Sequence, residues 1–396
     1  IFILLCSLTG FTQPVNKQVL FKLQGHSDDL ECLAVSGNGS YILSGSWDGM
    51  VNLFETDSQY TPVATFMDHF SAVNCISITP NNKTFATGGN DGKVFTYKID
   101  SLGIVSKDKS ISIHRMPINA LIIDPSGKTV YSGSTDGTIC IYDLIKLKDR
   151  RIVNTNPISS MALTSDRRTI YCSDNTNTIK KYDLAGKLIS SFEGHTDQVN
   201  CIVLTKDNKF LVSASSDKSI KIWNTQTGKL VKTLIGHDWK VMNIAVSANG
   251  KYIISGSNDG SLILWDFDLG KKITSNDNIG TNVRCVALSN DNTKIFAAMK
   301  YPIDSFESGG VLVIKSGIEI AKKEPPKVPV KPESKSTTPS KGATPTPTSP
   351  GNNSSGTTKE IIKKTPEIEI SEEKKKAPEV KKLSLIHISE PTRLRR

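Results

Sequence analysis

Histidine and aspartate recur in this chain at one fixed spacing. His26, His69, His114, His195 and His237 are five of its six histidines. Each is followed four residues later by an aliphatic side chain (Leu30, Val73, Ile118, Val199, Val241) and 22 residues later by an aspartate (Asp48, Asp91, Asp136, Asp217, Asp259). Six residues beyond each aspartate stands an aromatic ring: Phe54, Tyr97, Tyr142, Trp223 or Trp265. Coincidence at these spacings in five places marks an internal repeat, and a repeat of this length constrains the architecture before any local propensity does. The histidines fall about 42 residues apart, except for one interval of 81 between His114 and His195. That interval holds an extra unit without the marker histidine, with segments at residues 157–163, 168–172 and 178–183. A last unit follows His237, at residues 282–288, 294–298 and 311–314, so the chain carries five clear units and two degenerate ones.

Within a unit the pattern is β throughout. In the sixth, residues 241–246 are short and apolar, Ala248, Asn249 and Gly250 form a turn, and residues 251–257 read as a strand. Asn258, Asp259 and Gly260 then give a tight hairpin signal before a further strand over residues 261–266. In the fifth unit Gly228 opens a fourth strand, residues 229–234, which leads into the next Gly-His pair. Four short antiparallel strands in about 42 residues is the size of a propeller blade. One blade cannot bury both faces of its sheet, whereas seven stacked around an axis can, and a closed ring removes the exposed join. Closure needs a strand from one end of the chain to pair with the other. Residues 19–23, directly before Gly25 and His26, are the favoured outer strand for the seventh blade, with residues 317–321 as the rival. The expectation is an all-β, seven-bladed propeller of four-stranded antiparallel blades over residues 14–320.

These residues resemble the tryptophan–aspartate (WD) repeat family, over residues 18–315. Gly194 and His195 with Trp223 and Asn224, and Gly236 and His237 with Trp265 and Asp266, are near-consensus units. In that family the histidine, the hairpin aspartate, a serine or threonine on the second strand and the tryptophan form a hydrogen-bonded tetrad. The resemblance implies tetrads at His195, Ser213, Asp217, Trp223 and at His237, Ser255, Asp259, Trp265. His114, Ser132 and Asp136 with Tyr142 are a close variant; His69, Thr87 and Asp91 with Tyr97 keep a hydroxyl; His26, Ser44 and Asp48 with Phe54 lose the last donor. The chemistry has its own logic, because a buried carboxylate must be compensated and imidazole plus hydroxyl supply the donors. Two units depart from the pattern. In the fourth, Asn154 takes the histidine position and Thr176 the aspartate position; the seventh has no such aspartate and carries an insertion over residues 300–308. Both are expected to be held less rigidly.

The formal net charge of +10 is unevenly spread. Residues 321–396 hold 17 Lys and Arg against 9 Glu, which leaves 32 basic and 30 acidic residues before them. A near-neutral propeller argues against a nucleic-acid groove in the fold. The segment 321–382 is rich in Pro, Thr, Ser and Lys, including the run from Ala343 to Pro350, and lacks the apolar content to fold. Residues 383–396 resemble translated sequencing-adaptor read-through. At the other end, residues 1–13 are apolar and resemble the core of a secretion signal with a cleavage site before Gln13. On that reading the protein is secreted or periplasmic; on the alternative, an internal apolar segment, it is cytoplasmic. No stretch is long enough to span a membrane. Seven cysteines, an odd number with no CxxC pair, read as small buried hydrophobes, and Cys32, Cys75, Cys201 and Cys285 recur at one place in the repeat.

Each His–Asp pair belongs to its own unit, so the histidines cannot converge on one ion, and no metal, phosphate-loop or nucleophile-elbow motif is present. No cofactor and no catalytic residues are expected. The resemblance implies docking of one or more proteins or peptides, by a monomer, on the face carrying the loops before the first strands and the turns between second and third strands. Trp47 and Trp239 fall on that face outside the tetrads and flank the seventh unit. The expected patch is Trp47, Trp239, Lys240, Glu31, Tyr301 and Phe306. The alternative is a propeller enzyme, a hydrolase or lyase, with its site at the central channel.

Overall fold

The computed structural model describes residues 19–56, 61–154, 156–277, 279, 282–300 and 310–316. Tyr301, Phe306, the rival strand at 317–321 and the segments 1–13, 321–382 and 383–396 lie outside the described residues.

Seven four-stranded antiparallel sheets form the seven blades, with the units in the order the repeat sets. The sixth blade is Val241–Val246, Tyr252–Ser257, Leu262–Asp266 and Lys271–Asn276, its first three strands within a residue of the bounds read from the sequence. The degenerate fourth unit is a full blade: Ile158–Leu163, Thr169–Asp174, Ile179–Asp183 and Leu188–Phe192. The seventh is closed by the favoured strand. Val19–Leu23 pairs with Gly310–Lys315, which pairs with Lys294–Met299 and then Val283–Leu288, so one sheet joins the first described residues to the last. Leu23 stands opposite Val311 and Lys22 opposite Leu312.

Seven apolar clusters fill the boundaries between blades. Tyr171, Ile179 and Phe192 of blade four pack with Val199, Leu211 and Trp223 of blade five; Phe296, Val311 and Val313 of blade seven pack with Leu30, Ile42 and Phe54 of blade one, over Leu23. Each blade therefore contributes one sheet face to each of two cores, which is why strands buried on both sides read as nearly continuous apolar runs. The approach is close enough to need glycine: a Cβ added at Gly256 would lie 2.5 Å from Val283 Cγ1 of the next blade.

One irregularity repeats in all seven inner strands. The register slips between the first and third residues: Leu30 pairs with Ser46 but Cys32 with Gly45, and the same step occurs at Val73/Cys75, Ile118/Ala120, Ile158/Ser160, Val199/Cys201, Val241/Asn243 and Val283/Cys285. The intervening residue is a bulge without a partner across the ladder, and a bulge re-aims its side chain.

Candidate functional site

The bulged residues are Glu31, Asn74, Asn119, Ser159, Asn200, Met242 and Arg284, one per blade. All seven line a cavity of about 300 Å³ where the channel opens on the upper face, the face of the inter-blade loops; Trp47, Asn90, Gln198 and Asn243 complete it. Three asparagines tie it together: Asn74, Asn119 and Asn200 each donate from Nδ2 to the first carbonyl of the next inner strand, Ile118 (3.1 Å), Ile158 (2.9 Å) and Val241 (2.9 Å). Each also donates inside its own blade, to Asn90, Thr135 and Ser216 respectively, the residue just before the hairpin aspartate position. In blade one the direction reverses, and Trp47 Nε1 donates to Glu31 Oε2 at 2.9 Å.

Where blade seven meets blade one the mouth is charged. Arg284 Nε lies 3.8 Å from Glu31 Oε2, and Lys300 Nζ reaches Asp29 at 2.6 Å and stands 5.9 Å from the centre of the Trp47 ring. Trp47 is 50 % exposed. Trp239, 58 % exposed, and Lys240 sit on the loop entering blade six, outside the cavity that Met242 and Asn243 line. Glu31 and Trp47 are thus brought into contact, while Trp239 and Lys240 stand apart from them on the same face. Sequence reasoning missed Phe70, 85 % exposed beside His69 with Lys93 Nζ 5.0 Å from its ring centre, and the exposed Met67 and Met116. Their only sequence signal is an apolar residue within two positions of a marker histidine.

The five histidines occupy the loops that lead from one blade's outer strand to the next blade's inner strand. Each ring bridges two partners. His195 Nδ1 lies 2.7 Å from Asp217 and Nε2 2.7 Å from Ser213 Oγ; His237 stands 3.1 Å from Asp259 and 2.7 Å from Ser255. His114 reaches Asp136 at 2.9 Å and Ser132 at 2.8 Å, His26 reaches Asp48 at 3.0 Å and Ser44 at 2.7 Å, and His69 reaches Asp91 at 3.0 Å and Thr87 at 2.9 Å. A carboxylate only accepts, so Nδ1 carries a proton. Trp223 Nε1 donates to Ser213 at 2.8 Å and Trp265 Nε1 to Ser255 at 2.9 Å. Tyr97 is different: its hydroxyl donates to Asp68 at 2.8 Å. Phe54 and Tyr142 bury their rings in the aromatic position, Phe54 fully and Tyr142 in part.

Burial disfavours the charged form of these aspartates. The imidazole bond, the Ser219 or Ser261 hydroxyl and hairpin N–H groups outweigh it, holding Asp217 and Asp259 far below the usual carboxylate range. Asp48, Asp91 and Asp136 are lowered by the same balance. His114 itself is lowered, by burial, against the pull of Asp136.

Blade four builds a substitute two residues early. Asp174, buried at the end of the second strand, accepts from Asn154 Nδ2 (3.1 Å), Lys180 Nζ (2.8 Å) and Thr176, and Tyr182 donates to Asn154 Oδ1 at 2.8 Å. Thr176 holds the aligned aspartate position, but the carboxylate comes from Asp174, where blades one, three, five and six carry Ser46, Ser134, Ser215 and Ser257.

Serine, histidine and aspartate at these distances also describe a hydrolase triad. Here Ser44, Ser132, Ser213, Ser255 and Thr87 are fully buried, so no substrate carbonyl reaches the hydroxyl. Six cysteines are buried and unpaired, and burial pushes the Cys140, Cys172 and Cys285 thiols up to about 12. Among the described residues no group of three His, Cys, Asp or Glu could hold a metal ion, and no helix is long and apolar enough to cross a membrane.

The model of the WD domain, G-beta repeat matches residues 17–55, 60–98, 106–143, 186–224 and 228–266, leaving out the first three strands of the fourth and seventh blades. The chain is 24% identical over 206 residues to the guanine nucleotide-binding protein subunit beta of Arabidopsis thaliana, covering 50% of this chain and 44% of that protein. It is 26% identical over 224 residues to the WD repeat-containing protein 18 of Homo sapiens, 50% of each, and 28% identical over 229 residues to the periodic tryptophan protein 2 homolog of Dictyostelium discoideum, 56% of this chain and 24% of that one. It spans half or less of the length of these curated relatives. With matched repeats, four-stranded blades and histidine–hydroxyl–aspartate joints at five of the seven loops, four through serine and one through Thr87, the chain belongs to the WD-repeat β-propeller family.

Proposed function

We propose that the propeller is a non-enzymatic scaffold that presents its upper face to one or more protein or peptide partners, as a monomer. The observation that carries this reading is the placement of exposed Trp47, at the channel mouth, with Phe70, Met67 and Met116 on the neighbouring loops and exposed Trp239 on the loop entering blade six. Leaving large apolar side chains in water is unfavourable, and tryptophan is enriched where partners bind. The Trp47 turn and the Phe70 loop adjoin: a Cβ at Gly49 would meet the His69 carbonyl oxygen at 3.2 Å. A relative named as a G-protein subunit, and so working within an assembly, is consistent with this role. The near-neutral charge of the propeller favours protein over nucleic acid. The enzyme reading has only the buried serine–histidine–aspartate sets in its favour, and their hydroxyls are sealed.

The test uses the full chain as bait, with Trp47→Ala plus Trp239→Ala in one variant and Phe70→Ala in another. Loss of the captured proteins with unchanged circular dichroism is expected. Undiminished capture by both variants removes the proposal.

A further inference from the structure

We infer that the channel mouth takes a carboxylate: an acidic side chain of an extended partner segment, held by Arg284 and Asn243. This rests on the scaffold reading and adds the chemistry of what enters. The argument begins with Arg284. Its side chain is only 22 % exposed, and its Nε is buried without a hydrogen-bond partner. The nearest carboxylate oxygen, on Glu31, stands at 3.8 Å, beyond hydrogen-bond reach, and already receives the Trp47 indole N–H. A guanidinium offers five donors in a planar fork that matches a carboxylate, and a buried donor left unmade is unfavourable. This one sits on a bulge that aims it into a cavity.

The neighbours divide the mouth into a donor side and an acceptor side. Asn243 uses Oδ1 to accept from Val286 N–H at 3.2 Å, which leaves its Nδ2 protons for a ligand beside Arg284. Asn74 and Asn119 do the opposite: their Nδ2 groups are committed to their own and the neighbouring blades, which leaves Oδ1 as the open arm, while Asn200 Oδ1 already accepts from the Ser216 hydroxyl at 3.4 Å. An acidic residue within a peptide matches both sides, with its carboxylate on Arg284 and Asn243 and its backbone N–H groups toward the asparagine oxygens. At about 300 Å³ the cavity is at the small end of ligand sites and suits a side chain with its flanking backbone. Glu31 is the counterweight. It positions Arg284 and repels an incoming carboxylate, so its neutralisation acts with a predictable sign.

The experiment is a titration of the full chain, labelled with 15N on arginine, followed at the Arg284 Nε–H signal, which Arg284→Lys identifies by its loss. The probes are two acetylated, amidated pentapeptides of glycine and serine, one with a central glutamate and one with a central glutamine. The expected result is a saturable shift with the glutamate peptide alone. Glu31→Gln should tighten binding several-fold, about the effect of removing one nearby like charge. Asn243→Asp keeps the acceptor for Val286 N–H and should weaken binding about tenfold. Equal response to both peptides, no response, or weaker binding by Glu31→Gln overturns the inference; weakening by Glu31→Gln would mark a cationic ligand. Loss of capture by the Trp47 variants with a silent Arg284 keeps the scaffold and removes the carboxylate. An Arg284 response with undiminished capture does the reverse.

Discussion

Replacing Ser213 by alanine should be far more damaging than the same change at Ser44. Ser213 Oγ serves two buried groups at once, the Trp223 indole N–H at 2.8 Å and His195 Nε2 at 2.7 Å. Alanine leaves both without a partner in a site water does not reach, at about 1–3 kcal/mol for each orphaned group. The expected loss is about 3–4 kcal/mol. Ser44 holds the same place against His26 at 2.7 Å, but Phe54 brings no N–H to it, so Ser44→Ala orphans one group and should cost about 2 kcal/mol. The assay is urea unfolding at neutral pH, followed by far-ultraviolet circular dichroism, with variants compared at matched m-values. A second arm repeats Ser213→Ala in a Trp223→Phe background, where the serine change should cost about what it costs at Ser44. Equal losses at Ser213 and Ser44, or a serine cost in the Phe background as large as in the parent, would refute the idea that the indole bond is what separates strong joints from weak ones.

Other perturbations probe other parts of the ring. Because burial holds His114 below 6.5, the unfolded chain takes up a proton that the folded one refuses; its contribution is present above 6.5 and is lost as pH falls from there through the folded value. Imidazole signals should place the His114 titration midpoint below 6.5, and a midpoint at or above 6.5 contradicts this. Asp217 and Asp259 act lower: their contribution is present above the unfolded carboxyl value near 3.8 and is lost on further acidification, so Asp217→Asn should flatten the acid limb of the stability curve between pH 5 and 2. Lys180→Met should cost about 3 kcal/mol by stranding the Asp174 carboxylate, and adding Asp174→Asn should restore most of it; no restoration argues against a charge effect. Gly256→Ala should lower stability by about 1–3 kcal/mol through the clash with Val283, and an unchanged melting temperature excludes so close an approach.

Blade number, strand order and the closing strand were legible in the sequence because they depend on spacings and turn residues, which need no knowledge of partners across the sheet. Spacing located the His–Asp pairs, whereas their serine, threonine and aromatic partners were expected only from the family resemblance, and Tyr97 turns to Asp68 instead. The fourth blade shows where that logic stops. Position-for-position alignment pointed at Thr176, but a carboxylate two residues earlier reaches the same space from the strand end, and only the packing of Asn154, Lys180 and Tyr182 around Asp174 reveals it. The channel mouth was half visible. Glu31 and Trp47 were expected on the upper face, whereas Asn74, Asn119 and Arg284 acquire meaning only through the bulge that turns them into the channel. A register slip is a property of two strands together, so no single strand announces it. Phe70 was overlooked because one apolar residue in a polar loop carries no periodicity.

The sheet that joins Val19–Leu23 to Gly310–Lys315 also dictates an order of assembly. Phe21 must find Val313, nearly three hundred residues away, whereas every other strand pairs within its own short hairpin or the adjoining turn. Bringing such distant points together from an open coil carries an entropic cost about 3 kcal/mol above that of a ten-residue hairpin. The cost shrinks once the intervening blades have stacked and carried the two ends round to face each other. During synthesis, then, Val19–Leu23 leaves the ribosome with nothing to pair with and waits through six blades, and the ring seals only when Gly310–Lys315 emerges.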